Sequence, residues 1–215
     1  MFAPVAAITR RGAVKLAAAL AAMAPLGRAG AQSPAAPRKA EPAGAGEALD
    51  AAQMLALQAL YARLLPADDK TGSAADAGAH LYVDKQLAGH YAAQLPAYRQ
   101  GLAALDATAQ AQGAGTFSAL APAAQDVLIG QLEAGKLTGT ALPDGGKAFF
   151  ALARKHMLEG LLTDPMYGGN KDFAGWAMLG FAGIQLNFNA QQQALNSKDA
   201  RAPHSIADFG GQPIP

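Results

Sequence analysis

Leu87, Tyr91, Leu95, Tyr98, Leu102 and Leu105 recur at spacings of three and four residues. Only a helix brings side chains so spaced onto one side, because a strand alternates its faces every residue. The segment is therefore helical and must bury that side against something. Pro96 falls inside the stripe and lacks a backbone donor, so a kink or a junction of two helices is expected there. A second stripe, Met54, Leu57, Tyr61 and Leu64, marks a helix over 47–65 that Pro66 ends. Phe117 and Leu120 precede Pro122, a residue suited to a first helical turn, and Val127, Leu128 and Leu132 carry that helix to Gly135. Over 147–163 the buried side reads Phe150, Ala153, Met157 and Leu161, with Arg154, Lys155 and Glu159 outward. No stretch alternates as a strand would, β-branched residues are scarce, and abundant alanine favours helix. The expected fold is all-α: a small irregular bundle of four to six helices with a long C-terminal loop and tail.

The helices are separated by turn-forming stretches: 67–79 with Asp68, Asp69, Gly72 and Gly78; 113–115; and 139–146 with Pro143, Gly145 and Gly146. Ahead of them, Thr9-Arg10-Arg11 and Lys15 lead into an apolar run from Leu16 to Leu26, followed by Ala29-Gly30-Ala31. A charged start, a short apolar middle and a small-residue cleavage site describe a secretory leader over 1–31, cut after Ala31. Eleven apolar residues rise only about 16 Å as helix, roughly half a bilayer core, which argues against an anchor. The adjacent Arg10 and Arg11 point to the twin-arginine route, and so to the periplasm. Residues 32–46, rich in Pro, Ala and Gly, read as a flexible linker, 47–197 as the helical domain, and 198–215 as an extended tail.

The 215-residue chain has a formal charge of +1. Removing the leader's four cations, Arg10, Arg11, Lys15 and Arg28, takes it to −3, so nothing remains to grip nucleic acid or an anionic membrane. There is no cysteine. That excludes disulfides, a cysteine-ligated iron–sulfur cluster and a thioether-attached haem, and it leaves a packed core as the source of stability.

Catalytic patterns are not found. The histidines are His80, His90, His156 and His204; none is read as half of a helical metal pair. His156 and Glu159 share a face at i and i+3, but an ordinary surface or boundary histidine is the favoured reading. Asp68-Asp69 reads as a capping or solvated pair. No serine sits in a Gly-x-Ser-x-Gly elbow and no glycine-rich nucleotide loop is present. The expectation is no catalytic, cofactor-binding or metal-binding residue in this chain.

The segment after the 147–163 helix is unlike ordinary core. Asp164-Pro165-Met166-Tyr167-Gly168-Gly169-Asn170 is turn-rich, and Gly175-Trp176 and Leu179-Gly180-Phe181 follow. Gly168, Gly169 and Asn170 tolerate left-handed backbone, while Tyr167, Trp176 and Phe181 are the residue types that anchor interfaces. This block resembles the signature of the small third subunit of gluconate 2-dehydrogenase. Other pieces agree in the same order: Leu64-Leu65-Pro66-Ala67-Asp68-Asp69, Tyr82-Val83-Asp84-Lys85-Gln86-Leu87, Tyr98-Arg99-Gln100-Gly101-Leu102, Phe117, Phe149-Phe150 and Glu159-Gly160. The resemblance spans about 47–187. Ala182-Gly183 stands where that family usually has Pro-Gly, and Ala121 replaces a serine before Pro122, losing a capping side chain.

The resemblance implies a non-catalytic small subunit of a periplasmic FAD-dependent sugar or alcohol dehydrogenase. Its partners would be a large glucose–methanol–choline-type (GMC-type) flavoprotein and, indirectly, a multihaem cytochrome c, so FAD and haem c would reside in partner subunits. The small subunit would escort the folded flavoprotein through the twin-arginine pore and then stabilise it, reaching the membrane only through the complex. Candidate partner-binding residues are Tyr167, Gly168, Gly169, Asn170, Trp176 and Phe181, with the glycines and Asn170 setting loop shape. The alternative is a free-standing helical periplasmic ligand-binding protein with the aromatic loop as its lip.

Overall fold

Asp50 begins the first helix. Its carboxylate accepts the Gln53 amide at 2.9 Å, and the Gln53 side chain accepts the Asp50 amide at 3.1 Å, a reciprocal cap that satisfies two otherwise orphaned donors. The computed structural model describes residues 44–138, 141–184, 190 and 203–210. Within these, six α-helices follow in order: α1 Ala51–Leu64, α2 Ala79–Ala88, α3 Leu95–Ala111, α4 Pro122–Glu133, α5 Lys147–Leu162 and α6 Ala174–Leu179. No strand is formed among the described residues, only an isolated bridge between Gly183 and His204. The all-α expectation holds. The leader residues Arg10, Arg11, Lys15, Ala29 and Ala31 lie outside the described residues.

Several boundaries differ from the sequence expectation, each for a local reason. Glu47 does not open α1; the capping box moves the start to Ala51. The long stripe is split: α2 ends at Ala88, a 3-10 turn spans Ala92–Gln94, and α3 starts at Leu95 with Pro96 in its first turn, where a missing donor costs nothing. On α5 it is Phe149, 4% exposed, that enters the core, while Phe150 is only partly buried. Val127 is 59% exposed and so lies off the buried face of α4. The turn stretch before α2 is itself packed inward, with Ser73, Ala74, Ala75 and Ala77 buried.

The buried cluster joins α1, α2, α3, α4 and α5, and α5 touches each of the other four. Its closest partner is α2. Gly160 makes that approach possible: a methyl there would sit 2.9 Å from the Ala79 carbonyl oxygen. Tyr98 meets Phe149 edge-on, with ring centroids 5.7 Å apart. A polar thread crosses this apolar interior. The Tyr98 hydroxyl lies 3.0 Å from His156 Nδ1 and 3.4 Å from the Tyr61 hydroxyl. The Tyr91 ring stacks on His156 at 4.3 Å, and its hydroxyl donates to Glu159 Oε2 at 2.9 Å. Burial pushes the Tyr61 and Tyr98 phenols far up and the His156 imidazole down, so all three stay neutral near pH 7. His156 is 1% exposed, which corrects the surface or boundary reading: the stripe test counted it as polar, whereas the tyrosine hydroxyl gives it a partner inside.

Asp84 holds the entry to α1. It is 4% exposed, and its carboxylate accepts the backbone amides of Glu47, Ala48 (3.1 Å) and Leu49 (2.8 Å). Gly46 passes so close that any Cβ would overlap that carboxylate. Asp84→Ala strands three amides and should lower unfolding free energy by about 3 kcal/mol, readable in urea titrations. His80, one turn earlier on α2, is 4% exposed, and its Nδ1 has no hydrogen-bond partner among the described residues. Burial pushes its imidazole down to about 4, against the opposing pull of Asp84 and Asp76. The unfolded chain takes up that proton near pH 6.5, and the folded chain only near 4. The contribution of neutral His80 is thus complete above 6.5 and is lost as pH falls toward 4, at about 1.4 kcal/mol per unit. Between pH 7 and pH 5 wild type should lose about 2 kcal/mol more stability than His80→Leu, as measured by urea midpoints at the two pH values.

Candidate functional site

A helix leaves its last four carbonyl oxygens without intrahelical donors. At the end of α5 these belong to Glu159, Gly160, Leu161 and Leu162. The amide of Thr163 reaches the Glu159 oxygen at 2.8 Å. Asp164-Pro165 then turns the chain out of helix, as a residue before proline favours. From here the turn-rich block closes back over the helix end. The Asn170 amide donates to the Gly160 oxygen at 2.8 Å, and the Trp176 indole N–H donates to the Leu162 oxygen at 2.8 Å. Asn170 Nδ2 adds a bond to the Thr163 oxygen at 2.8 Å.

Asn170 faces both ways. Its Oδ1 accepts the Gly175 amide at 2.8 Å, so the side chain that covers the end of α5 also caps the first turn of α6. It sits in left-handed backbone at φ 46°, a region asparagine enters more readily than most residues, and it is fully buried. Gly169 and Gly175 are required by contact: a Cβ on the first would overlap the Gly160 oxygen, and one on the second the Leu161 oxygen. Asp172 and Phe173 also take positive φ, at 54° and 59°, a strain of order 1 kcal/mol each that the surrounding bonds hold in place. Lys171 ties the loop to the stretch before α2 through its amide and the Ala77 oxygen, 2.8 Å apart.

The C-terminal segment completes the arrangement. Asp164 accepts the Met166 amide at 3.0 Å, the Ser205 hydroxyl, and the Ile206 amide at 2.8 Å. Gly183 bridges His204, and the Ile184 amide donates to the His204 oxygen at 2.8 Å. Over 203–210 the expected extended tail is therefore folded onto the domain and ends in a 3-10 turn, Ile206–Phe209. The chain path after Phe181, where Ala182 replaces the usual proline, is set by Gly183 at φ 76°, a position that any side chain would crowd against His204.

The candidate residues thus separate into two groups. Gly169, Asn170 and Trp176 are buried and shape the loop from within. Gly168 and Phe181 are exposed, and Tyr167 is half-buried near Tyr82. Phe181 is 46% exposed and packs edge-on against Trp176 at 5.0 Å. Sequence reasoning missed the remaining exposed side chains here: Leu81, Leu158, Leu162, Leu179, Ile206 and Phe209. With Phe181 they make up seven of the eight large apolar side chains exposed among the described residues, Val127 being the eighth. Leu158 and Leu162 fall four apart on the outer side of α5, a signal available in the sequence; Ile206 and Phe209 lie in a stretch too polar to register.

No group of three or more His, Asp and Glu side chains arranged to hold a metal occurs among the described residues. Asp84 stands four residues after His80, a helical pairing the sequence reading overlooked, but its oxygens are taken by backbone amides. His156 and Glu159 are each committed to a tyrosine hydroxyl. Asn170→Ala removes the two-way clamp and places alanine in left-handed backbone, and should cost about 3 kcal/mol. Trp176→Phe keeps the ring and loses only the N–H, and should cost about 1 kcal/mol; the two urea midpoints give the comparison.

Comparison with known families gives a match over residues 51–183 to gluconate 2-dehydrogenase subunit 3. No curated protein and no solved structure matches the chain. The matched span takes in α1 through α6, the clamp at Asn170 and the bridge residue Gly183. With well over half of its 215 residues covered, the chain belongs to the gluconate 2-dehydrogenase subunit 3 family and is a subunit type of a dehydrogenase complex.

Proposed function

We propose that this chain is the non-catalytic small subunit of a periplasmic FAD-dependent sugar or alcohol dehydrogenase. It escorts a GMC-type flavoprotein through the twin-arginine route and then stabilises it. The carrying observation is that seven of the eight large apolar side chains exposed among the described residues lie on α5, on its neighbour α2, in the block that follows α5, or in the 203–210 segment bonded to that block through Asp164. A surface of this kind is costly to leave in water and is what a permanent partner covers. FAD and haem c belong to the partner subunits in this reading, and the membrane is reached through the multihaem cytochrome c. The paired Arg10-Arg11 and the apolar run to Leu26 support export of a folded cargo. A subunit that binds only the folded flavoprotein stabilises it by mass action.

Co-expression with the flavoprotein tests this. Arg10-Arg11→Lys-Lys should retain both proteins in the cytoplasm, followed by fractionation and flavin fluorescence. Phe181→Asp and Phe209→Asp replace half-exposed rings that pack on Trp176 and His204, so each should lower unfolding free energy by only about 1–2 kcal/mol, read from urea titrations, and leave the fold intact. Each should nevertheless weaken co-purification of the flavoprotein at least tenfold. Export of an active flavoprotein in the absence of this chain overturns the escort role.

A further inference from the structure

Within that docking face lies a shallow recess of about 430 Å³, lined by Tyr82, Leu158, Glu159, Leu162 and Thr163. Its walls are two leucines, the Tyr82 ring and Thr163, and one carboxylate stands among them. Glu159 is held from below, where Oε2 accepts the Tyr91 hydroxyl at 2.9 Å. Its other oxygen has only Lys155 among the described residues, at 3.6 Å, too long for a hydrogen bond. The Lys155 side chain is 65% exposed and that of Glu159 29%, so this is a loose solvent pair beside a half-covered carboxylate. Covering the recess with a purely apolar surface would bury a charge whose open oxygen has no close donor, which is strongly unfavourable.

Resting on the docking reading above, we propose that the recess receives an arginine side chain of the flavoprotein subunit, its guanidinium on Glu159 Oε1 and its stem against Leu158 and Leu162. The chemistry selects arginine over lysine for three reasons. The guanidinium is planar and weakly hydrated, so it enters an apolar slot at lower cost than an ammonium. Its flat face can lie on the Tyr82 ring while an edge donates to the carboxylate. Its aliphatic stem matches the leucine walls. Arginine is also among the residues that dominate interface energetics when centred in a covered pocket. The slot gives the interface a charge-specific register that the surrounding apolar patch lacks.

The test uses the full subunit and its flavoprotein, with affinity measured by calorimetry at two salt concentrations. Glu159→Gln keeps an acceptor for Tyr91, so its thermal unfolding should match wild type. Its affinity should fall about thirtyfold or more, the loss expected when one member of a covered charge pair is neutralised. Leu158→Lys, at a position 39% exposed, places a tethered ammonium beside Glu159 and should weaken binding likewise, which serves should the first variant unfold. Replacing the flavoprotein's surface arginines singly with alanine should reveal one whose effect vanishes in the Glu159→Gln background. If Glu159→Gln and Leu158→Lys both bind as wild type while Phe181→Asp does not, the arginine slot is refuted and the docking face stands. If the wild-type subunit does not bind the flavoprotein, both are refuted.

Discussion

The end of α5 is the point on which the rest of the structure turns. A helix in the middle of a bundle cannot leave its terminal carbonyl oxygens dry and unpaired. Here the Glu159, Gly160 and Leu162 oxygens are met by the Thr163 amide, the Asn170 amide and the Trp176 indole, and the Asn170 carboxamide meets the next oxygen, that of Thr163. Because Asn170 serves α5 with its donors and α6 with its acceptor, the two helices cannot be set independently. The glycines then follow as a geometric requirement: backbone lies against backbone at Gly160 and Gly169, and again at Leu161 and Gly175. A motif that reads in sequence as an interface signature is, at its buried half, a device for finishing a helix.

This division shows how much the sequence carries and where it stops. Helices α1, α3, α4 and α5 were legible because each presents three or more apolar side chains at helical spacing, and the proline positions marked true starts at α3 and α4, whereas α6 was hidden in a stretch that reads as turn. The end of α1 before Pro66 and the glycine-rich breaks were legible from the turn-forming residues themselves. What could not be read was which member of a pair turns inward: Phe149 rather than Phe150 faces Tyr98 because Gly101 leaves room for its ring. Nor could His156 be placed. A periodicity argument scores imidazole as polar, and only the coincidence of Tyr91 and Tyr98 in space makes an interior site tolerable. The fold of 203–210 was likewise invisible, since it depends on a carboxylate 41 residues upstream.

The interior is mixed in character. Alanine and glycine let helices approach closely, while four tyrosines, two histidines and three carboxylates bring polar atoms inside or to the edge. Several of these position the chain: Asp84 fixes the chain entering α1, Asp164 fixes the chain returning at 203–210, and Tyr91 fixes Glu159. Small side chains alone would leave a bundle of this size free to slide; directional bonds select one arrangement. Where they fail to pair, as at His80, the molecule carries a liability in acid.

One consequence follows from the manner in which 203–210 is attached. Its fastenings are polar, through Asp164 and the bridge at Gly183, while Ile206 and Phe209 face solvent at 41% and 46% exposure. A strip secured by its polar edge gains little from the hydrophobic effect and so belongs among the first parts of the molecule to open. The chain therefore carries a weak seam at a strip that also exposes two large apolar side chains, Ile206 and Phe209. A surface laid over Ile206 and Phe209 would supply the burial that the chain itself withholds, and slowed amide exchange would then be concentrated in this strip rather than spread through the helices.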